Sequence, residues 1–456
     1  MSAHVHDLVG IGIGPFGLGL AALADPLDDV DAVFLDQRDG FAWHPGMMLE
    51  GATIQVPFLA DLVTMADPTS PYSFLSFLKD TGRLYSFYIR ESFTPLRSEY
   101  DDYCRWVAAQ LGTLRWRRRV VAVQEAGSGL LRVRAEVLGD GGAVLGTEEH
   151  LTRHVAVSVG TAPTMPPALS AAARTAAADP SAGPVVHSGD YLAARESLLE
   201  SGAVTIVGSG QSAAEVYRDL IEEGSRRGTR VDWVTRSPRF FPMEYTKLSL
   251  EMTSPEYTDL FRSLSTERRE ALSRSQRALH KGISGDLVDD IHETLYRLSA
   301  GGREVPTTLL TETAVEGVRR AEDGWALTLR HGQLGTSAVH RTRAILAATG
   351  YAPRSLDLLD PLGDRLRRDE QGRPAPDRDY ALDTAGQVHL LGTEEHTHGV
   401  TAPDLGFGPW RASRVLAQVT GREPYRCEQR IAFQTFGLPD GDQAPAAHRT
   451  LQEDLA

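Results

Sequence analysis

The stretch DLVGIGIGPFGLGLAAL, from Asp7 to Leu23, constrains the fold more than any other part of the chain. Its apolar start, Asp7 to Gly12, reads as a strand buried on both faces, and Leu18 to Leu23 reads as the first turns of a helix. A second apolar run, Ala32 to Leu35, ends at Asp36. Strand, glycine turn, helix and strand together span roughly thirty residues, the length a βαβ crossover needs. Gly12, Gly14 and Gly17 fall in GxGxxG spacing between strand and helix. In that spacing the first glycine permits the tight turn, the second lets a pyrophosphate reach the backbone, and the third lets the helix pack closely. Phosphate then sits at the helix N-terminus, and an acid at the place of Asp36 accepts from a ribose hydroxyl. The pattern predicts a dinucleotide site.

The same grammar recurs from Ala203 to Arg236, with Gly208, Gly210 and Ala213 in GxGxxA spacing. Ser209, Gln211 and Ser212 add phosphate donors, and the following strand ends in Arg236 instead of an acid. An acid there repels a 2'-phosphate and an arginine pairs with it, so the second unit is expected to prefer NADPH. Two such units in one chain point to a held flavin and an exchanging nicotinamide. The two cysteines, Cys104 and Cys427, form no CxxC, so a reduced flavin has no local disulfide to reduce, and oxygen becomes the expected acceptor.

At 456 residues the chain exceeds a single core, and roughly two to three domains are expected. A composition of 41% hydrophobic and 24% charged residues is that of a globular protein, with no apolar run of membrane-spanning length. The N-terminus lacks the basic start of a secretory signal, and a cytoplasmic protein is expected. A net charge of -14 argues against a nucleic-acid partner. Only three of the 47 basic residues, Lys79, Lys247 and Lys281, are lysines. No metal-ligand spacing stands out, and no metal is expected. The segment VSVGTAP ending at Pro163 echoes LAATGYAP ending at Pro353, as though the chain crosses between domains at both places. From Tyr257 to Leu298 the pattern is helical, with one break at KGISG, and reads as an insertion.

Several further motifs carry a family resemblance. FAWHPGM from Phe41, TIQVPFLADLVT from Thr53, PTSPYSFLSFL from Pro68, LRSEYDDYCRW from Leu96, GSGQSAAE from Gly208, AATGY from Ala347 and HTHGVTAPDLG from His396 stand in order along nearly the whole chain. The combination resembles the microbial N-hydroxylating monooxygenases of siderophore pathways, which act on lysine, ornithine or diamines. The resemblance implies an α/β fold with two Rossmann-like domains, for FAD and NADPH, and a small helical substrate-binding insertion. The expected layout is FAD-binding at 1–190, NADPH-binding at 191–240, helical at 241–300, NADPH-binding again at 301–344, FAD-binding again at 345–438, and a flexible tail at 439–456. Trp43, His44, Gln55 and Pro403, Asp404 and Leu405 are implied to lie against the flavin, Ser209 to Ser212 and Arg236 to bind NADPH, and Arg97 to stand near both reacting rings as the catalytic contact. A homo-oligomer is also implied, with a tetramer as one form.

Family members that hydroxylate lysine or ornithine carry, at the third position of the segment matching FLADL, a lysine that pairs with the substrate carboxylate. Here that position is Ala60. A carboxylate buried without its cation is penalised by about 3 to 5 kcal/mol, a discrimination of at least about a hundredfold. The family asparagines that contact the amino-acid head group match Leu250 and either Ile283 or Ser284, and Gly406 closes the last motif beside them. A diamine is therefore the expected substrate, with Glu244, Glu251 or Asp404 to accept its distal ammonium and O2 as co-substrate. Cadaverine is placed ahead of putrescine on overall resemblance to the diamine branch. The implied cycle has NADPH reduce FAD, oxygen add at flavin C4a, and the amine nitrogen attack the distal oxygen. Alternatives from the residues are a lysine or ornithine hydroxylase in which Lys247, Lys281 or an arginine replaces the missing anchor, a flavin monooxygenase acting on sulfur or ketones, and a non-catalytic flavin-binding sensor.

Overall fold

The computed structural model describes residues 4–438, so the tail expected from 439 to 456 lies outside the described residues. The first glycine turn joins β1 (Val5–Ile11) through the helix Pro15–Ala24 to β2 (Ala32–Asp36), which runs parallel beside it. All residues of that helix from Gly17 to Ala24 are buried, which is why its sequence is apolar on every side. The sheet continues through β3 (Leu114–Trp116) on one side. On the other, β4 (Arg118–Gly127), β5 (Leu130–Leu138) and β6 (Val144–Val157) form an antiparallel meander. The second half of the long β6 turns back parallel to β1, giving the order β3-β2-β1-β6-β5-β4. From the far end of the chain β17 (Val388–Leu390) returns to pair with β6.

A second sheet holds the repeat. Its strands β8 (Val185–His187), β9 (Ala203–Val207), β10 (Arg230–Val234) and β11 (Leu309–Leu310) are joined by β15 (Ala344–Ala347) in the order β11-β10-β9-β15-β8. All of its pairings are parallel, and the helix Gln211–Arg227 crosses between β9 and β10. An antiparallel triplet, β12 (Thr313–Ala321), β13 (Gly324–His331) and β14 (Ser337–Thr342), leads back into β15. Strand pairing thus differs from the boundaries drawn at 190 and 344. β8 and β15, which those boundaries gave to the FAD portions, are strands of the second sheet. The sequence VVH is too short to carry a periodicity, and AILA suits the core of either sheet equally.

The two echoing segments do more than cross in parallel places. β7 (Thr161–Pro163) and β16 (Tyr351–Pro353) pair with each other as a small antiparallel ribbon, Tyr351 opposite Pro163. Between residues 241 and 300 the regular elements are helices, Lys247–Leu250, Pro255–Ser263, Thr266–Ser275 and Gly285–Ser299. Ser254 and Ser265 cap two of them by accepting from the amides of Tyr257 and Arg268. The KGISG break is a close backbone crossing: a Cβ on Gly282 would lie 2.6 Å from the Met243 nitrogen. Among the described residues no helix is long and apolar enough to cross a membrane.

Candidate active site

The carboxyl ends of both parallel sheets face a cavity of about 940 Å³, the place where open α/β sheets bind their ligands. At the first turn the three glycines divide the work by geometry. Gly12 adopts φ +95°, and a Cβ there would strike the Ser158 carbonyl at 2.5 Å. A Cβ on Gly17 would lie 2.0 Å from the Gly12 carbonyl oxygen, so Gly17 packs the helix against the turn and stays outside the cavity lining. Gly14 lines the cavity, and a Cβ there would meet nothing within 4 Å. Its bare backbone faces open space of the kind a pyrophosphate fills.

Asp36 also lines the cavity, but its carboxylate is engaged. It accepts from the Ile13 amide at 2.7 Å and from Arg38 Nε and Nη2 at 3.0 and 2.9 Å. Burial opposes its charge, yet the Arg38 bonds outweigh burial and hold the carboxyl below the usual range. Arg38 in turn donates to the carbonyls of Ile13 and Ala42, so this pair fixes the shape of the turn as well as bordering any ribose. On the opposite wall Trp43 packs on Tyr100, ring centres 5.0 Å apart, and its amide donates to Asp101. His44 lies 5.6 Å from the Tyr351 ring, and enclosure by the cavity walls, with the Arg97 charge second, lowers its pKa. Gln55 reaches the same cavity with a buried Nε2 that has no hydrogen-bond partner. A buried donor left unmatched beside the glycine cradle fits a bound flavin, which presents acceptors there.

Arg97 opens the helix Arg97–Gln110 and is buried. Its guanidinium grips Glu215 with two bonds, of 2.6 and 2.9 Å, and donates to the Met47 carbonyl at 2.7 Å. Glu215 belongs to the second unit, so this bidentate pair spans the two dinucleotide units across the cavity floor. Gln211 extends the chain: its Nε2 donates to Glu215 at 2.9 Å, and its Oε1 accepts from the Ser284 amide at 2.8 Å. Arg97 lines the cavity, with both terminal nitrogens already paired.

In the second unit Gln211 and Ser212 line the cavity, and Ser209 and Gly210 form the turn just outside the lining. A Cβ on Gly208 would stand 2.2 Å from the Ala348 carbonyl, which explains glycine at that position. Arg236 lies two residues beyond β10, exposed, with no ion pair or hydrogen bond among the described residues. Charge-assisted bonds are worth about 1.5 to 3 kcal/mol, so Arg236→Ala is expected to raise KM for NADPH about ten- to a hundredfold and leave NADH nearly unchanged. Steady-state kinetics with both nucleotides check this, and equal losses would remove Arg236 from the 2'-phosphate site.

The expected substrate residues divide. Leu250, Glu244 and Asp404 line the cavity, as do Pro403 and Leu405. Ile283 does not: fully buried, it packs in the core of the second unit, with its backbone bonded to Phe241 and Met243. The Ser284 amide is taken by Gln211. Glu251 turns away to the chain's later segment, accepting from the amides of Phe433 and Gln434 at 3.0 Å, so it is not a free ammonium acceptor. Ile283 and Ser284 were matched by position along the chain and Glu251 was named for its charge, and sequence does not show which way a side chain in a short helix or turn points. Ala60 is buried just behind the lining, its Cβ 3.5 Å from where a Cβ on Gly406 would be.

Residues 4–353 match the family of L-lysine 6-monooxygenases and L-ornithine 5-monooxygenases. The chain belongs to this family. It is a FAD- and NADPH-dependent N-hydroxylating monooxygenase. It is 40% identical over 450 residues to a putrescine N-hydroxylase of Shewanella oneidensis, covering 98% of this chain and 88% of the relative. The FAD-bound cadaverine monooxygenase of Erwinia amylovora superposes with a TM-score of 0.90 at 42% identity, over 96% of this chain and all of that one. The ornithine N-hydroxylase of Kutzneria sp. 744, solved with reduced FAD, NADP+ and L-ornithine, gives 0.80 at 27% identity, over 92% and 99% of the two chains. Within this enzyme the residues that sequence reading passed over are Arg38 and Glu215. The signal for Glu215 was present: an acid on the one face of GSGQSAAEVYRDL that is otherwise buried and apolar.

Proposed function

We propose that this monooxygenase N-hydroxylates one amine of an aliphatic diamine, cadaverine ahead of putrescine, for hydroxamate siderophore assembly in the cytoplasm, working as a homo-oligomer. The observation that carries the reading is the charge of the cavity. Asp404 lines it without an ion pair among the described residues; its carboxylate accepts from the Phe407 amide, at 2.8 Å, and from the Gly406 amide. Burial pushes the Asp404 carboxyl up, outweighing the Phe407 and Gly406 amides and the Arg411 charge that pull it down. Glu244 adds a second carboxylate to the same cavity. No lysine lines it: Lys281 is held by Glu395 at 2.8 Å. Arg97 and Arg38 are paired with Glu215 and Asp36. Arg118 and Arg119 are paired with Glu148 and Glu136, and Arg354 lines the cavity without an ion pair among the described residues. Beside Asp404 or Glu244, however, an amino-acid carboxylate would meet an anion, whereas a second ammonium would find a partner. The putrescine and cadaverine enzymes among the relatives agree with this reading.

When bound, reduced FAD supplies the oxygen-transfer chemistry. The chain's own task is to hold the far ammonium, on Asp404 with Glu244 nearby, and present the near amine neutral. An amine of reference pKa about 10.4 costs roughly 4 to 5 kcal/mol to bind neutral at pH 7, and the apolar wall at Leu250 and Leu405 lowers that cost by disfavouring charge. Gln55 Nε2 is the donor set toward the flavin, and the Arg97–Glu215 pair fixes the wall between flavin and nicotinamide. One methylene in a pocket is worth about 1 to 3 kcal/mol, so cadaverine and putrescine should differ far less than either does from an amino acid.

Hydroxylamine formation and NADPH oxidation on cadaverine, putrescine, lysine and ornithine test the proposal. Both diamines are expected to exceed both amino acids by at least about a hundredfold in kcat/KM. Preference for lysine or ornithine would overturn the diamine reading, and flavin reduction without product on any amine would favour the sensor. Ala60→Lys is expected to lower diamine turnover and raise that of the matching amino acid, because a lysine there reaches past Gly406 toward Asp404 and neutralises it.

A further inference from the structure

At the amino-terminal rim of the first sheet, opposite the cavity, three side chains from two segments converge. His4 and His6 project to one side of β1, as residues two apart on a strand do. Asp31 stands just before β2. His4 Nε2 lies 2.7 Å and His6 Nδ1 3.0 Å from the same carboxylate oxygen, Asp31 Oδ2, and the three potential ligand atoms lie within 4.8 Å of one another. Behind them His6 Nε2 meets His150 Nδ1 at 3.4 Å, and His150 Nε2 meets Glu148 Oε1 at 3.2 Å. Glu148 also accepts from Arg118.

Counting hydrogens along this row is informative. Glu148, His150, His6 and Asp31 make three contacts between two carboxylates, but two neutral imidazoles bring only two N–H groups. Glu148 only accepts, so His150 carries its hydrogen on Nε2 and accepts on Nδ1. His6 must then carry its hydrogen on Nε2. That leaves the bare lone pair of His6 Nδ1 facing Asp31 Oδ2 with nothing between them. Either a third proton in the row or a metal cation resolves the contact, and the ligand types gathered here, two imidazoles and one carboxylate, are those of a divalent transition metal.

We propose that His4 Nε2, His6 Nδ1 and Asp31 Oδ2 form a zinc-class metal site, oriented from behind by His150 and Glu148. The carboxylate–histidine row sets the tautomer of the ligating His6, as outer partners of metal-bound histidines do. Bound metal would tie the first strand to the chain entering the second, away from the catalytic cavity. Sequence spacing hides the site because only the strand pairing brings Asp31 beside the two histidines.

Calorimetric titration of the FAD-loaded enzyme, free of any polyhistidine tag, with Zn2+ alone tests this. One Zn2+ per chain is expected. His4→Ala and Asp31→Asn should each weaken binding at least about tenfold, and Glu148→Gln by about ten- to a hundredfold through the orienting row. His4 is exposed, so its variant should fold and retain FAD, and FAD content confirms that for each protein. No zinc uptake by the wild type, or unchanged uptake in both ligand variants, would overturn the site, as would uptake lost instead in His292→Ala, which replaces an exposed histidine on the helix Gly285–Ser299.

Discussion

Asp404→Asn is expected to lower kcat/KM for a diamine by about a hundredfold or more, with most of the loss in KM. The substitution keeps the size of the side chain and an oxygen for the Phe407 amide, so the loop can retain its shape. What disappears is the charge. On the proposed reading the buried carboxylate and the far ammonium neutralise each other in wild type, and removing one partner of a buried pair costs about 3 to 5 kcal/mol. The direction of the pKa shift gives a second check. Burial raises the Asp404 pKa, and a protonated carboxyl no longer balances an ammonium. KM for the diamine should therefore rise as pH falls through that pKa in wild type, and this limb should vanish in the asparagine variant. Steady-state profiles on cadaverine measure both. Undiminished turnover by the variant would transfer the ammonium to Glu244.

Glu215→Ala should destabilise the FAD-loaded enzyme by about 3 to 5 kcal/mol, because it leaves the Arg97 guanidinium buried with only a backbone carbonyl as partner. Chemical denaturation followed by flavin fluorescence reads this. Glu215→Gln, which keeps an acceptor for Arg97 and for Gln211, should recover part of the loss. A Glu215→Ala variant as stable as wild type would mean that the pair does not hold the two units together.

How far the sequence could be read followed from the kind of signal each feature leaves. Both glycine turns were legible, because a tight turn, a bare backbone and a close helix each forbid a side chain at a fixed spacing. The tight turn at Gly12 and the close helix at Gly17 appear as distances in the structure, and Gly14 faces open space. The pairing of β7 with β16 was half legible: the echo marked two crossings, but not that they bond to each other. The substrate wall was the least legible. Ile283, Ser284 and Glu251 sit among short helices and turns, where no periodicity tells inside from outside, and their side chains or amides proved to be used elsewhere. Arg97 lines the cavity, and an acid on the buried face of the second unit's helix was there to be read; that these two, 118 residues apart, pair with each other is what no local reading shows.

The paired ribbon also bears on motion. Gly160 and Gly350, the residues entering its two strands, both hold left-handed backbone, φ +70° and +87°, with no neighbour within 4 Å of where a Cβ would be. Because the two connections are bonded to each other, the nicotinamide half cannot wander on independent tethers. The bonded pair makes one connection with a positive-φ glycine at each entry, the construction of a hinge. Arg97 and Glu215 join the two units at a second place, so any swing about that hinge has to part this ion pair.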